Sequence, residues 1–322
     1  MARTSVGILR GGTSSEYSLS LKTGAAMLSA LPEDKYEVRD IFVDRSGVWH
    51  IRGVPADPAR ALSQVDVVLN ALHGGAGEDG TVQRILERFG IPYAGSRPLA
   101  AALSLNKARA REVFRKAGIL MPHGVVFTSE NSLNAQQMAE AIFSEFGPPY
   151  LVKPPFEGAG SGIVFVATII ELPDAIGNVL DTYGAALIEE YLRGDEVTVG
   201  IIEGFREEEL YTLPPAHVQV PKGHKYLTYD HHEQGLIRHT VPSNFSPAEK
   251  QAIADMARAA HRALSLSHFS RADMILTRRG PHLLEINAIP GLYPGSAFPV
   301  MLESVGSSTR EFLEHAIALA KQ

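Results

Sequence analysis

Cysteine is absent from the 322 residues. Its absence excludes disulfides, thiolate metal sites and a cysteine nucleophile, and it fits a reducing compartment. No apolar stretch is long enough to span a bilayer, and the opening strand Val6-Gly-Ile-Leu9, interrupted by Arg10, is too short for a signal-peptide core. A soluble cytoplasmic protein is therefore expected. Neither sign of charge dominates, because 30 Lys and Arg against 36 Asp and Glu leave −6, and nothing points to nucleic acid or an anionic membrane. What is present is a 45% hydrophobic content with 29 Gly and 20 Pro. That suits a loop-rich α/β enzyme of two or three domains.

The chain opens as strand, glycine turn and helix. Gly11-Gly12-Thr13-Ser14-Ser15-Glu16 separates the first strand from a helix over residues 19–31, and such a turn exposes amides at the positive end of the helix, where anions are favoured. A dinucleotide fold would need G-x-G-x-x-G, which is missing, so Asp44 after the second strand (36–43) has no fingerprint to support ribose binding. Glu16, in the first helical turn, reads either as a dipole-favoured capping acid or as a group that meets a substrate amine. A third strand (65–69) runs into Asn70-Ala-Leu-His73-Gly-Gly-Ala-Gly77-Glu-Asp-Gly80. A glycine-rich loop at the carboxyl end of a parallel strand marks a binding crevice, and His73 is its one side chain that changes charge near neutrality. A short fourth strand (91–95) closes this part.

Helices are expected over 98–105, 107–117 and 135–146, and strands over 125–128, 150–154 and 163–167. Lys107 reads most simply as a solvated helix lysine. Lys153 lies in an apolar strand and, if buried, needs a negative partner. Residues 156–162, Phe-Glu-Gly-Ala-Gly-Ser-Gly, form a flexible loop whose amides can cover phosphates, although no P-loop lysine follows. Glu189-Glu190-Tyr191-Leu192 and Glu196 form either a solvated acidic turn or the slot for an adenine and its ribose. Residues 221–232 are a long aperiodic loop of the lid or substrate type. A helix from Ser246 to about Leu264 leads into a hairpin, and an amphipathic helix over 310–321 ends the chain as core packing.

In that hairpin, Arg271-Ala-Asp273 alternates against Glu285-Ile-Asn287 across the turn Arg278-Arg279-Gly280. If it is regular, Asp273 lies opposite Glu285, with Arg271 and Asn287 on the same face. Like charges across a strand pair destabilise it unless a hard cation sits between them. The alternatives are a metal seat or an amphipathic hairpin whose acids are solvated. The following Pro/Gly loop, residues 288–296, offers exposed amides for a substrate.

Taken in order, Lys107, Lys153, the 157–162 loop, Glu189 to Glu196 and the hairpin quartet resemble an ATP-grasp ligase. With the 11–20 segment, the His73 loop and Lys225-Tyr226, the resemblance narrows to the D-alanine:D-alanine ligase family. It implies a mixed α/β, three-domain fold with a doubly wound amino-terminal sheet, the domains running over 1–95, 96–182 and 183–322. ATP would lie between the second and third domains. Lys107, Lys153 and the loop Glu157, Gly158, Ala159 and Gly160 would hold its phosphates, Glu189, Glu190 and Leu192 its adenine, and Glu196 its ribose. Asp273, Glu285 and Asn287 would carry two Mg²⁺, or Mn²⁺ in their place. Glu16, with Leu19 and His73 beside it, would receive the first D-alanine. Arg271, the Gly291 amide, Ser296 and Ala297 would frame the second, and Lys225 and Arg271 would neutralise the transferred phosphoryl. A homodimer is the family's habit.

Two departures stand out. Ala159 replaces the serine that in the family joins Glu16 and Tyr226 in a hydrogen-bonded triad, at a cost on the order of 1 kcal/mol for one neutral bond. Ala297 replaces a leucine and leaves room for a side chain larger than methyl. A ligase for another amino acid pair and an inactive nucleotide-binding regulator are the competing readings.

Overall fold

The computed structural model describes residues 3–322 as three sheets around one central cleft. The first is six-stranded in the order β4-β3-β2-β1-β5-β6. It contains β1 (Thr4–Gly11), α1 (Tyr17–Ala30), β2 (Tyr36–Val43), β3 (Trp49–Ile51), β4 (Val54–Ala56), α2 (Pro58–Leu62), β5 (Val67–Asn70), α3 (Thr81–Arg88) and β6 (Tyr93–Ala94). Strands β2, β1, β5 and β6 run parallel, which explains why Val6, Ile8, Val67 and Val68 are wholly buried. Arg10 does not end the first strand as expected: its guanidinium pairs with Asp40 of β2 at 2.6 Å, and the strand continues to Gly11. The β3–β4 hairpin is too short to leave a period in the sequence.

Two helices, α4 (Pro98–Leu105) and α5 (Lys107–Lys116), connect to the second sheet, ordered β7-β10-β8-β9. Its elements are β7 (Gly124–Thr128), α6 (Ala135–Glu145), β8 (Tyr150–Lys153), β9 (Val164–Val166), α7 (Leu172–Tyr183) and β10 (Ala185–Glu190). Its apolar cluster is its own, built from residues such as Tyr150, Ile176 and Ile188. Strand β10 pairs with both β7 and β8, so this sheet keeps the chain as far as Glu190. Helix α7 went unread in the sequence, although it opens with Pro173 in its first turn and stops at Gly184 with φ +74°.

The third sheet, β14-β13-β11-β15-β16 with β12 alongside β11, completes the fold. It comprises β11 (Asp195–Glu203), β12 (Leu210–Thr212), β13 (Ala216–Gln219), α8 (Tyr229–Glu233), β14 (Arg238–Thr240), α9 (Pro247–Ala263), β15 (Phe269–Thr277) and β16 (Gly280–Asn287), followed by α10 (Ala297–Ser304) and α11 (Thr309–Ala320). The long loop expected over 221–232 ends in α8, capped by Thr228. Helix α9 starts with a complete capping box between Ser246 and Glu249. Apolar side chains of α10 and α11, among them Phe298 and Phe312, merge with Ile8 and Leu69 of the first sheet and Met27 of α1 into one cluster. Helices α4 and α5 contribute Ala100 and Phe114 to the core under α9. No helix among the described residues is long and apolar enough to cross a membrane.

Phe298 is fully buried where the first and third sheets share their core. Phe298→Ala should cost about 3–5 kcal/mol of stability, read as a lower urea midpoint with unchanged far-UV circular dichroism below the transition.

Candidate active site

Strands β15 and β16 pair so that Arg271 faces Asn287 and Asp273 faces Glu285, with a bulge just after Asp273 that a regular hairpin would lack. The two acids do not repel across the pair because each has its own cation. Arg271 reaches Asp273 at 2.7 Å, and Lys107, at the start of α5, reaches Glu285 at 2.9 Å. Asp273 also accepts hydrogen bonds from Thr198 Oγ1 of β11 at 2.6 Å and from Asn287 Nδ2 at 2.9 Å. Burial pushes the Glu285 carboxyl up, but Lys107, Lys153 and Arg271 together outweigh it and hold the group down at about 2. It is therefore ionised at any working pH. Lys107 is not a solvated helix lysine: it is buried between Glu285 and the Glu157 carbonyl, the latter at 2.6 Å.

Lys153 finds the partner that its burial demands. Its ammonium lies 2.5 Å from Glu189 on the adjacent strand β10, and Arg111 of α5 holds the other oxygen of the same carboxylate at 2.5 Å. Glu189 is 1% exposed, so the side chain expected at an adenine is committed to this clamp and only its backbone is left for a base. Glu190 accepts the His123 amide at 2.9 Å. Glu190, Tyr191 and Leu192 line the cleft. Glu196 also lines it, with its carboxyl pushed up to about 7 by burial and then by Asp273.

On the first sheet's side, Glu16 is buried and makes no side-chain cap to α1, which disposes of the capping reading. Burial, and then Glu78 and Glu285, lift its carboxyl to about 8. His73 shares a 2.8 Å hydrogen bond with Thr23, and burial followed by Arg271 lowers it to about 4, so the ring is neutral. Glu78, which the sequence showed only as part of a turn, accepts the Gly74 amide at 2.6 Å and lies in the same cleft.

The glycine loop reaches over to these groups. Ser15 donates to Glu157 at 2.8 Å, and a Cβ at Gly158 would collide with Glu16 Oε1. Ala159 has φ +49°, a left-handed backbone that alanine tolerates only with strain. Gly158 does not line the cleft, while Glu157, Ala159 and Gly160 do.

Three residues sit differently from their expected roles. Tyr226 donates to the Ile163 carbonyl at 3.1 Å and makes no bond to Glu16, so the triad is replaced by an anchor to the glycine loop. The Lys225 ammonium stacks 4.0 Å over the Phe165 ring, while His232 of α8 lines the cleft, where burial and then Arg271 lower its pKa to about 4. Ser296 donates its hydroxyl to the Gly291 and Tyr293 carbonyls at 2.8 and 2.6 Å. That hydroxyl closes the loop on itself, and Ala297 begins α10 beside it.

Most of these groups line one cavity of about 700 Å³ between the three sheets, of the size that holds a nucleotide with small substrates. The residues fit a hard divalent cation: two carboxylates and an amide lie on one rigid face, and hard cations prefer oxygen donors. Among the described residues no group of three or more His, Asp or Glu side chains could enclose a metal by itself, so phosphate oxygens would have to complete the shell. Thr198, Arg111, Glu78, His232 and His239 were not legible as site residues. Glu78 carried a signal in its Gly-Glu-Asp-Gly setting, and His232 in its place at the end of the 221–232 segment.

Residues 113–318 match the family described as D-ala D-ala ligase C-terminus, and residues 51–96 match D-ala D-ala ligase N-terminus. The chain belongs to the D-alanine–D-alanine ligase family. A D-alanine–D-alanine ligase of Desulforudis audaxviator is 33% identical over 98% of both chains. Among solved structures, a D-alanine–D-alanine ligase from Bacillus anthracis complexed with ATP is 26% identical, with a TM-score of 0.81, covering 98% of this chain and 97% of that one. A D-Ala:D-Ser ligase from Enterococcus faecalis is also 26% identical, with a TM-score of 0.85, covering 99% of this chain and all of that one. The ATP-grasp architecture and the ligase class expected from the sequence therefore hold.

The Glu16 carboxyl keeps its proton in the folded chain up to about pH 8 and loses it in the unfolded chain near 4.5. Rising pH across that window therefore favours unfolding of the parent. In the absence of ligands, Glu16→Gln should match the parent's melting temperature below pH 4.5 and exceed it by a growing margin toward pH 8. A constant margin would refute the assignment of that proton.

Proposed function

We propose that this chain joins two D-alanine molecules at the expense of ATP, as a cytoplasmic enzyme that supplies a peptidoglycan precursor. The observation that carries the reading is the convergence of Lys107, Lys153, Arg271 and the Asp273–Glu285–Asn287 face on a cleft that also holds Glu16 and His73. A carboxylate repels nucleophiles and needs a leaving group. Transfer of the terminal phosphoryl to one carboxylate oxygen of the first D-alanine releases ADP and gives an acyl phosphate. The amine of the second D-alanine, having lost a proton, attacks the acyl carbon, the C–O bond breaks, and phosphate leaves.

In this reading Lys107 and Lys153 bind phosphate oxygens, and their ion pairs with Glu285 and Glu189 hold both ammonium groups in place beforehand. Asp273, Glu285 and Asn287 would hold Mg²⁺, which neutralises phosphoryl oxygens when bound. The backbone of 189–192 frames the adenine, and Glu196 accepts from the ribose. Glu16 receives the first substrate's ammonium, which would draw its raised carboxyl back to the ionised form, and His73 lies by the first carboxylate. Arg271 binds the second carboxylate and offsets charge on the tetrahedral oxygen. The three lobes correspond to the three sheets, and a homodimer rests on the family's habit alone.

A panel of D- and L-amino acids assayed for phosphate release tests this function. D-alanine should be the strongest trigger as the first substrate, and no ADP with any amino acid would favour a nucleotide-binding regulator instead. Glu285→Gln should cut ADP formation by orders of magnitude with the far-UV spectrum unchanged. Ala159 lines the cleft where the family carries serine, so Ala159→Ser should give equal or higher turnover. A large loss would mean that the loop has been rebuilt for another use.

A further inference from the structure

Arg111 has no part in the reaction as described, and it does not line the cleft. It follows Lys107 by four residues on α5, so both side chains leave the same face of that helix. Lys107 goes to Glu285. The Arg111 guanidinium goes to Glu189, with Nη1 2.5 Å from Oε1, while Nη2 donates to the Pro122 carbonyl at 2.7 Å. Room for this contact is built into β7. Gly124 pairs with Glu189 across the strands, and a Cβ there would lie 2.9 Å from Arg111 Nη2 and 2.8 Å from Glu189 Cγ, closer than side chains approach. The missing side chain at 124 thus leaves space for the guanidinium and the carboxylate together.

Among the described residues, Glu189 is the one acid that the Lys153 ammonium meets. A lysine matched by a single buried carboxylate forms a neutral pair, which attracts phosphate only weakly. Arg111 changes that balance, because two cations on one carboxylate leave a positive charge in excess. Of the two cations only Lys153 lines the cleft, so the excess is felt there through the lysine. That Lys153 binds phosphate oxygens belongs to the proposed function, and a role for Arg111 rests on that reading. We infer that Arg111 is a positioning residue for the nucleotide: from outside the cleft it shares Glu189 with Lys153 and so leaves the ammonium's charge free for the phosphates of ATP.

The test measures binding of the non-hydrolysable ATP analogue AMP-PNP with Mg²⁺ to the full chain by calorimetry, with adenosine, followed by ligand-observed NMR, as the uncharged control. Arg111→Met leaves Lys153 and Glu189 paired and should weaken the triphosphate about tenfold or more, the scale of one charged hydrogen bond, while adenosine binding stays unmoved. Arg111→Lys, which keeps the charge, should stay within about threefold of the parent. Adding Glu189→Gln to Arg111→Met restores the excess positive charge, and most of the lost affinity should return with it. If Arg111 merely braces β10 against α5, adenosine and triphosphate weaken together and the double variant binds worse than the single one; either result overturns the inference. Should Arg111→Met not fold, Arg111→Lys decides, a loss of about tenfold overturning the inference and parent-like binding supporting it. A parent that binds the triphosphate while the charge series stays flat sinks this inference alone. A parent that binds no triphosphate sinks the proposed function with it.

Discussion

Charge compensation in a buried cleft is the constraint on which this structure depends. Glu189 is almost fully enclosed, and its cost of desolvation is met by two cations at 2.5 Å, Lys153 from the neighbouring strand and Arg111 from α5. Glu285 and Asp273 would repel one another across a strand pair, yet Lys107 and Arg271 make each a balanced pair. Arg271 pairs within its own strand, but Lys107, Arg111 and Lys153 come from segments far in sequence from the acids they meet, so those ion pairs can form only when helix α5 and the second and third sheets are correctly assembled. The same pairs hold the ammonium and guanidinium groups in fixed positions at the cleft.

Much of this was legible in the sequence because it depends on local periodicity. The register of Asp273 against Glu285 follows from two-residue alternation and one turn, and the structure reproduces it, with a bulge added after Asp273. Helices α4, α6 and α9 were readable from their apolar spacing, their flanking Pro and Gly and, for α9, its capping serine. Lys153 was conspicuous because a lysine inside an apolar strand must be neutralised somewhere.

What failed to show depended on contacts between distant segments. Nothing in the sequence indicates that Glu189 turns toward Arg111 and Lys153 rather than toward a base, because that choice is made by packing between β10, β8 and α5. Lys225-Tyr226 lies within the 221–232 segment expected to be a lid or substrate loop, and the family resemblance gave both residues roles at the substrate. The structure gives Lys225 to the Phe165 ring and Tyr226 to the Ile163 carbonyl, and lines the cleft with His232 as well. Aperiodic loops give no rule for which of their side chains point inward.

The four apolar clusters are not equivalent. Side chains of the first and third sheets interleave in one of them, whereas the second sheet keeps its cluster to itself. What ties that sheet to its neighbours near the cleft includes the Lys107–Glu157, Ser15–Glu157 and Tyr191–Lys225 hydrogen bonds. Polar links of this kind can be exchanged for water at little net cost, whereas an interleaved apolar seam cannot. The first and third sheets are therefore locked together by a shared core, whereas the middle one meets them at the cleft through contacts that water can replace.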